Sequence, residues 1–531
     1  MRSIATPPAP QPQATLLAHL GVAPATSIGT TSSSPFTGSP SFDAAPFHVN
    51  AGKQPRLGTF VLIGSEEPTM AHYGRIVEGL EENPRAEPSR LQKDQAYQAV
   101  PRTPRPSELA PHVTRVMNIE ILGQLRLKDD QKDDQVDIRD PEVLPQTGMA
   151  VYELPTSALP DILKTPKPNE DGLSIGHIET GGHKLQFCLP MDVLPRHMAV
   201  LGKTGVGKSH FCGVMVEEIT RYRIPIIAID ILGDLVPATE SLKGANLRAG
   251  QDFKVPYSII GRKEFLDFVP TLTDQHIDLV SDAYDVIYTE AIESLKETGT
   301  VNIPIERLYA EIRLVAGENG QEPVGGRAIK RVKAAFERSL LLVESLGAWV
   351  EDLITKPIVN IFVGHLAQGN RNLVVGAAAR VLQVLRQKEK LPPFLFVLDE
   401  AHFFLPGGGE STPTTQVMRQ LIRTGRHDAV GVVLITQSPA SMDKQTLTVC
   451  NTRVVFALDP DDLKVVSGTM GDLPQPVIDR IPKMARGRAI IASAQDILRH
   501  PVLVNVRDRS TPSGAPTPKM KEAVQQWRQN H

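Results

Sequence analysis

The chain has almost no cysteine: three in 531 residues, at positions 188, 212 and 450. They show no CxxC spacing, so they build neither a disulfide framework nor a zinc site, and they suit a reducing compartment. Nor is there an uninterrupted apolar run near the roughly 18 residues that a membrane helix needs. No secretory signal is expected at the N-terminus, because Met-Arg-Ser is soon followed by a run of Pro and Gln and then by a short apolar patch interrupted by His19. An excess of charge is missing too, with 57 Lys and Arg against 60 Asp and Glu for a formal net charge of −3. That excludes a globally basic nucleic-acid binder but leaves room for a local basic surface. These absences lead us to expect a cytoplasmic protein without a membrane anchor.

What is present is a globular composition, 41% hydrophobic and 22% charged, long enough for two or three domains plus tails. Residues 1–55 are rich in Pro, Ser, Thr, Ala and Gly and read as a disordered tail. From 56 to 190, short β-type runs (GTFVLI, HYGRIVEG, VTRVMNIEIL, MAVYEL, KLQFCL) alternate with turn-rich connections, which predicts a small all-β barrel or sandwich. The charged DDQKDDQ near 129 reads as a hairpin tip.

From 191 to 507 the pattern changes. HMAVLG, IPIIAID, PIVNIFV, FLFVLD, GVVLIT and RVVFAL are continuous apolar runs separated by helical segments, as expected for a parallel sheet covered on both faces. GRAIIA and PVLVNV read as an edge hairpin. Between 261 and 350 lies a helical insertion whose clearest helix places Ile277, Val280, Tyr284, Ile287, Ala291 and Leu295 on one face. The stretch 508–531 is a Pro- and Ser-rich extension.

The motif with the most chemistry is Gly202-Lys-Thr-Gly-Val-Gly-Lys208-Ser209, which matches the phosphate-loop pattern G-x-x-x-x-G-K-[ST] in its required strand–loop–helix setting. Glycines let successive N–H groups wrap the phosphates of ATP. Lys208 is expected to reach the β- and γ-phosphates, and the Ser209 hydroxyl to ligate Mg²⁺. Nucleotide contacts are assigned to Gly202, Lys203, Thr204, Gly205, Val206, Gly207, Lys208, Ser209 and His210. Cys212, one turn on, reads as a small packing residue.

FLFVLD ends in Asp399 and Glu400. Carboxylates at the end of a central strand sit where α/β sheets bind ligands. Asp399 is therefore the candidate for the Mg²⁺ shell, and Glu400 the candidate base that activates water. His402 has either a packing or a coupling role. Two strands lie between the phosphate loop and this pair in sequence, which favours the ATPase branch with an added strand and a catalytic glutamate. Gln437, at the tip of GVVLIT, is positioned to sense the γ-phosphate. Arg423 and Arg426 in LIRTGRH are candidates for an arginine supplied to a neighbouring subunit, of the kind worth roughly 10³–10⁵ in rate where isolated.

The runs RHMAVLGKTGVGKS, IAIDILGDL, VLDEAHFFLP, LIRTGRHDAVGVVLITQSPASMDKQTLTVCNTRVVFAL and PKMARGRAIIA, in this order between about 196 and 493, resemble the HerA-like branch of the HerA/FtsK superfamily. The pairing of VLIGS with HYGRIVEG, and the later PQTGMAVYEL, are similar to that family's N-terminal barrel. The resemblance implies a RecA-like P-loop core with that barrel and a helical insertion. It also implies a homohexameric ring that translocates double-stranded DNA and works with a NurA-type nuclease in end processing. By matching position, Lys208, Ser209, Asp399, Glu400, Gln437 and Arg426 take the roles above, while Asp230 and Asp234 match an acidic pair of unseparated roles. Two departures stand out: Thr424 and His427 replace the glutamate and lysine that often flank the Gly-Arg pair, and the N-terminal tail ahead of the barrel has no counterpart in the family.

Basic runs at 243–248 and 325–333 are candidate phosphate contacts. A competing reading is a ring that assembles an antiviral defence complex around another effector nuclease. A conjugative coupling or secretion ATPase is a third, against which the missing membrane segment argues.

Overall fold

The computed structural model describes residues 15–33, 38–82, 114–128, 136–167, 170–408, 412–468 and 473–514, with a few positions beyond. Seven strands form the N-terminal sheet: β1 Gly29–Thr31, β2 Ala44–Val49, β3 Phe60–Ile63, β4 Met70–Glu82, β5 Thr114–Leu127, β6 Val136–Arg139 and β7 Ala150–Glu153. Their order is β2-β1-β7-β3-β4-β5-β6, and an additional β2–β5 pairing closes six of them into a barrel. The pairing of VLIGS with HYGRIVEG is the antiparallel β3–β4 ladder, with Ile63 opposite His72.

Here the structure corrects the reading of residues 1–55 as a disordered tail. Residues 1–14 lie outside the described residues, but β1 and β2 close the barrel, with Phe47 opposite Met117. Their propensity is weak, and their place is fixed by partners far away in sequence. The DDQKDDQ run lies outside the described residues.

The second sheet has eleven strands in the order β12-β15-β11-β16-β17-β10-β18-β19-β20-β8-β9. They are β8 Leu173–Thr180, β9 His183–Leu189, β10 Met198–Leu201, β11 Ile226–Asp230, β12 Ala245–Arg248, β15 Ile358–Phe362, β16 Phe394–Leu398, β17 Val430–Thr436, β18 Thr452–Val455, β19 Arg488–Ala492 and β20 Val502–Val506. A two-stranded sheet pairs β13 Val255–Pro256 with β14 Leu342–Val343. The six apolar runs form β10, β11, β15, β16, β17 and β18, all parallel to their neighbours within this group. Their continuity has a direct cause: Met198 and Val200 face one apolar core, whereas Ala199 and Leu201 face another.

Two differences from expectation concern the far end of this sheet. KLQFCL (β9) belongs here rather than to the barrel, because the β8–β9 hairpin pairs with β20. The β19–β20 hairpin is therefore internal, and β9 forms the edge. The β17 strand lies between β10 and β16, the added strand expected from the order of motifs. The architecture is a RecA-like P-loop core with an N-terminal barrel.

Six helices of fourteen residues or more are described: α1 Lys208–Arg221, α2 Asp274–Thr298, α3 Ile305–Glu318, α4 Glu322–Arg338, α5 Gln368–Gln387 and α6 Pro413–Asp428. In α2 the expected face is buried at Val280, Tyr284, Ile287, Ala291 and Leu295. That face joins the same apolar core as sheet residues Ile227, Ile229 and Phe396, so the insertion packs on the sheet within one chain. Barrel and core are joined by polar contacts: Tyr73 Oη to His500 Nε2 at 2.8 Å, and Arg75 to the Pro501 carbonyl at 2.8 Å. Arg75 also forms a buried ion pair with Glu120 at 2.7 Å. Among the described residues no helix is long and apolar enough to cross a membrane.

Candidate functional site

β10 delivers the phosphate loop between two parallel neighbours, β17 and β18. Gly205 and Gly207 have φ of +79° and +121°, conformations that favour glycine. A Cβ at Gly202 would lie 2.7 Å from the Phe456 Cβ. The loop therefore requires its glycines for shape, and α1 starts at Lys208 immediately behind it. The Lys208 ammonium turns back over the loop and donates to the carbonyls of Gly202 (2.7 Å) and Lys203 (3.1 Å). Burial holds its pKa below the usual lysine range, while Glu400, Asp399 and Asp234 pull in the opposite direction.

β16 ends at Leu398, and the next two residues turn their carboxylates toward the loop. Asp399 is pushed up to about 8, first by burial and then by repulsion from Asp230, Glu400 and Asp234. Its Oδ2 is buried with no hydrogen-bond partner. Glu400 is only 5% exposed and sits in the left-handed region at φ 46°. Such a conformation costs a non-glycine residue about 1–2 kcal/mol and clusters at functional sites. Its Oε2 accepts from the Gln437 N–H at 3.4 Å and lies 3.4 Å from His402 Nδ1. His402 Nδ1 also meets Thr436 Oγ1 at 3.1 Å, so the ring ties the Glu400 turn to the tip of β17. The Gln437 side chain closes the circle: its Oε1 accepts from Thr204 Oγ1 at 2.5 Å.

The residues fit a divalent cation. An unpartnered, desolvated Asp399 oxygen amid further carboxylates is a site that a cation would relieve. Among the described residues no group of three or more His, Cys, Asp or Glu is arranged to hold a metal. Mg²⁺ would accordingly be held by Asp399, Ser209 and the nucleotide's own phosphates. The acidic pair after β11 separates into two environments. Asp230 accepts from the Gly233 N–H (2.7 Å) and Leu235 N–H (3.0 Å), which shapes its own loop. Asp234 is partly exposed and contributes charge to the Lys208 and Asp399 surroundings.

One expectation for a site residue meets a different geometry. His210, assigned to the nucleotide, instead bonds through Nε2 to the Arg507 carbonyl at 2.8 Å, on the side of α1 covered by the chain's last described stretch. Arg423 and Arg426 are exposed on α6 near its C-terminal end, before β17 begins. β17 spans seven residues, about 20 Å, so the two arginines lie at the opposite end of the sheet from Gln437 and the phosphate loop. Thr424, at one of the two departures, bonds within the chain to the Gln420 carbonyl at 3.1 Å.

Two features went unread in the sequence. His197, buried at the start of β10, accepts from the Val432 N–H at Nδ1 (3.2 Å), which leaves Nε2–H to donate to the Ile422 carbonyl (2.6 Å). Gly425 is packed against that ring: a Cβ there would meet the Val430 carbonyl at 2.8 Å and His197 Cε1 at 3.1 Å. The arginine-bearing helix is thus held to the root of the phosphate-loop strand. The second feature is a strap formed by residues 507–514. Arg507 reaches the buried Glu217 and Glu218 of α1 at 2.8 Å each. Thr511 donates its N–H and its hydroxyl to Glu217 at 2.7 Å each. Burial alone would raise the Glu217 pKa, but these bonds outweigh it and hold the group below the usual range. The strap ends with Gly514 against Asp234. Cys212, beneath it, is fully buried, and burial raises its thiol far above the usual range; it is a packing residue.

Residues 173–375 match the family model of the central domain of helicase HerA. A probable helicase of Methanocaldococcus jannaschii is 22% identical over 419 residues, covering 73% of this chain and 76% of that protein. The DNA double-strand break repair helicase HerA of Sulfurisphaera tokodaii is 22% identical over 372 residues, covering 66% of this chain and 73% of its own. Among solved structures, VirB4 of Thermoanaerobacter pseudethanolicus overlays on 66% of this chain and 99% of its own, at 15% identity and a TM-score of 0.49.

Proposed function

We propose that the chain is a HerA-like P-loop ATPase, a reading supported by the match to the HerA central domain and by the helicase relatives, and that it is an ATP-driven double-stranded DNA translocase of the helicase type. It works as a homohexameric ring coupled to a NurA-type nuclease in DNA end processing. The observation that carries this reading is a divided site. One end of the parallel sheet gathers Lys208, Asp399, Glu400 and Gln437 around the phosphate loop, while Arg423 and Arg426 stand exposed at the other. A second copy that places its arginines on this copy's phosphate loop completes the site, and a closed ring repeats the contact without a free end. The names of the relatives, DNA repair helicases among them, support DNA as the substrate.

In this reading the loop N–H groups and Lys208 bind the β- and γ-phosphates, exchanging the loop carbonyls for phosphate oxygens. Glu400, held by His402 and the Gln437 N–H, orients the attacking water and accepts its proton. Gln437 moves away from Thr204 when it contacts the γ-phosphate, which signals along β17 toward the arginine helix. Mg²⁺ when bound neutralises phosphate charge and keeps Asp399 ionised. The partner's Arg426, with Arg423 beside it, stabilises charge in the transition state.

The test is ATP hydrolysis with and without duplex DNA. The expected result is stimulation by duplex that Glu400→Gln abolishes, with a loss of about 10²–10⁴ in kcat and nucleotide binding retained. Hydrolysis indifferent to DNA, or a Glu400→Gln protein that still translocates, sinks the motor reading.

A further inference from the structure

Two basic runs far apart in sequence, 243–248 and 325–333, meet in space. Arg248, the last residue of β12, and Arg331 of α4 line one cavity of about 540 Å³, joined by Arg338 at the end of the same helix. The cavity opens beside the outermost parallel strand, at the same end of the sheet as the phosphate loop. Its lining contains no Asp or Glu. Arg248 lies over the Phe362 ring at 5.6 Å, and Arg331 donates to the Thr271 carbonyl. Neither arginine, nor Arg338, has a carboxylate in ion-pair contact among the described residues. Phe268, Leu340 and Leu341 supply apolar wall, and Leu340 stands 73% exposed at the lip.

These features ask for two things at once. Uncompensated guanidinium groups favour carboxylates or phosphates, with which they make paired, charge-assisted bonds. An apolar recess with an exposed leucine favours an apolar side chain. The backbone of duplex DNA offers only the first and is met best by cations that project. Arg327, Lys330 and Lys333 do project from α4 as exposed residues and suit that role. The recess does not. We propose that this cavity is a docking site for a peptide segment of a partner protein, one that presents an aliphatic or aromatic side chain flanked by carboxylates. This rests on the reading of the chain as one half of a two-protein machine, and it names the chemistry of the contact.

The test pans the intact protein against a display library of random short peptides. Recovered peptides are resynthesised with fluorescein and titrated by anisotropy. The pocket variant combines Arg338→Glu with Leu340→Glu, both exposed positions that leave the core untouched. A control combines Lys330→Glu with Lys333→Glu on the outward face. The expected result is a consensus of an apolar residue bracketed by Asp or Glu, bound about tenfold more weakly by the pocket variant and equally by the control. A consensus without carboxylates, no enrichment at all, or equal affinity for the pocket variant overturns the proposal. Displacement of the peptide by unlabelled single-stranded DNA also overturns it, in favour of a nucleic-acid site. DNA-stimulated hydrolysis is read on the same preparations, so a failure of the motor reading shows separately.

Discussion

The two ends of the parallel sheet are built on opposite plans. At the carboxyl end, Lys208, Asp399, Glu400 and Gln437 are buried or partly buried, mutually coupled and almost all engaged. At the amino end the backbone is equally well held, by His197 on Ile422 and Val432, yet Arg423 and Arg426 project into solvent. A rigid support for exposed arginines that form no ion pair among the described residues is what a subunit interface requires. Burial marks where the chemistry is prepared, and rigid exposure marks what is offered to a neighbour.

The largest effect should come from the amino end. Arg426→Ala is expected to lower kcat by about 10³–10⁵ while leaving the melting temperature and nucleotide affinity of isolated subunits unchanged. A modest loss of activity, or a loss of stability in proportion, would erase the distinction between the two ends. Arg423→Ala, measured in the same assay, tells which of the two arginines dominates.

Next in size is the strap. Ending the chain after Val506 strands Glu217 and Glu218 beneath the surface of α1 without Arg507 or Thr511. Breaking a buried pair from one side costs about 3–5 kcal/mol. Thermal melting should fall accordingly, and nucleotide binding should weaken because α1 begins at Lys208. Unchanged melting would mean that the carboxylates find water, and the carboxyl end would then be less tightly built than described.

How much of this was legible beforehand follows from which contacts are local. The phosphate loop, Asp399-Glu400 and Gln437 are read from short motifs because each is a strand end with its own chemistry. The six parallel strands are read because burial on both faces leaves unbroken apolar runs. The barrel's β1 and β2 were not, since GTT and AAPFHV carry little propensity and depend on partners such as β7 and β5. KLQFCL reads as part of the barrel for the same reason: a hairpin announces its own turn, but not that its other edge meets β20. The strap leaves no local trace because 507–514 is Pro- and Ser-rich, and its worth lies in two glutamates nearly 300 residues earlier. The His197–Gly425 contact had one visible trace, the glycine inside LIRTGRH, for which helix propensity gives no reason.

A smaller effect sharpens the contrast from the barrel side. His500, bonded to Tyr73, is held down to about 3 by burial and by the neighbouring Arg75 and Arg499. Its folded pKa lies below the unfolded value of 6.5, so the unfolded chain takes up the proton first as pH falls. Stability should therefore be flat above about pH 6.5 and decline toward pH 3, with a limiting slope near 1.4 kcal/mol per pH unit. His500→Gln should flatten that segment in acid melting curves. If the decline is the same in the variant, the junction does not depend on a neutral histidine.

The most direct test of a site divided between copies is to mix two inactive proteins. Glu400→Gln keeps its arginines, and Arg426→Ala keeps its glutamate. Co-assembled in the presence of duplex DNA, some contacts pair an intact Glu400 with an intact Arg426, so ATP hydrolysis should reappear and peak at intermediate ratios. Mixed assemblies that form but stay silent at every ratio would contradict the account, because both halves of the site would then have to come from one chain.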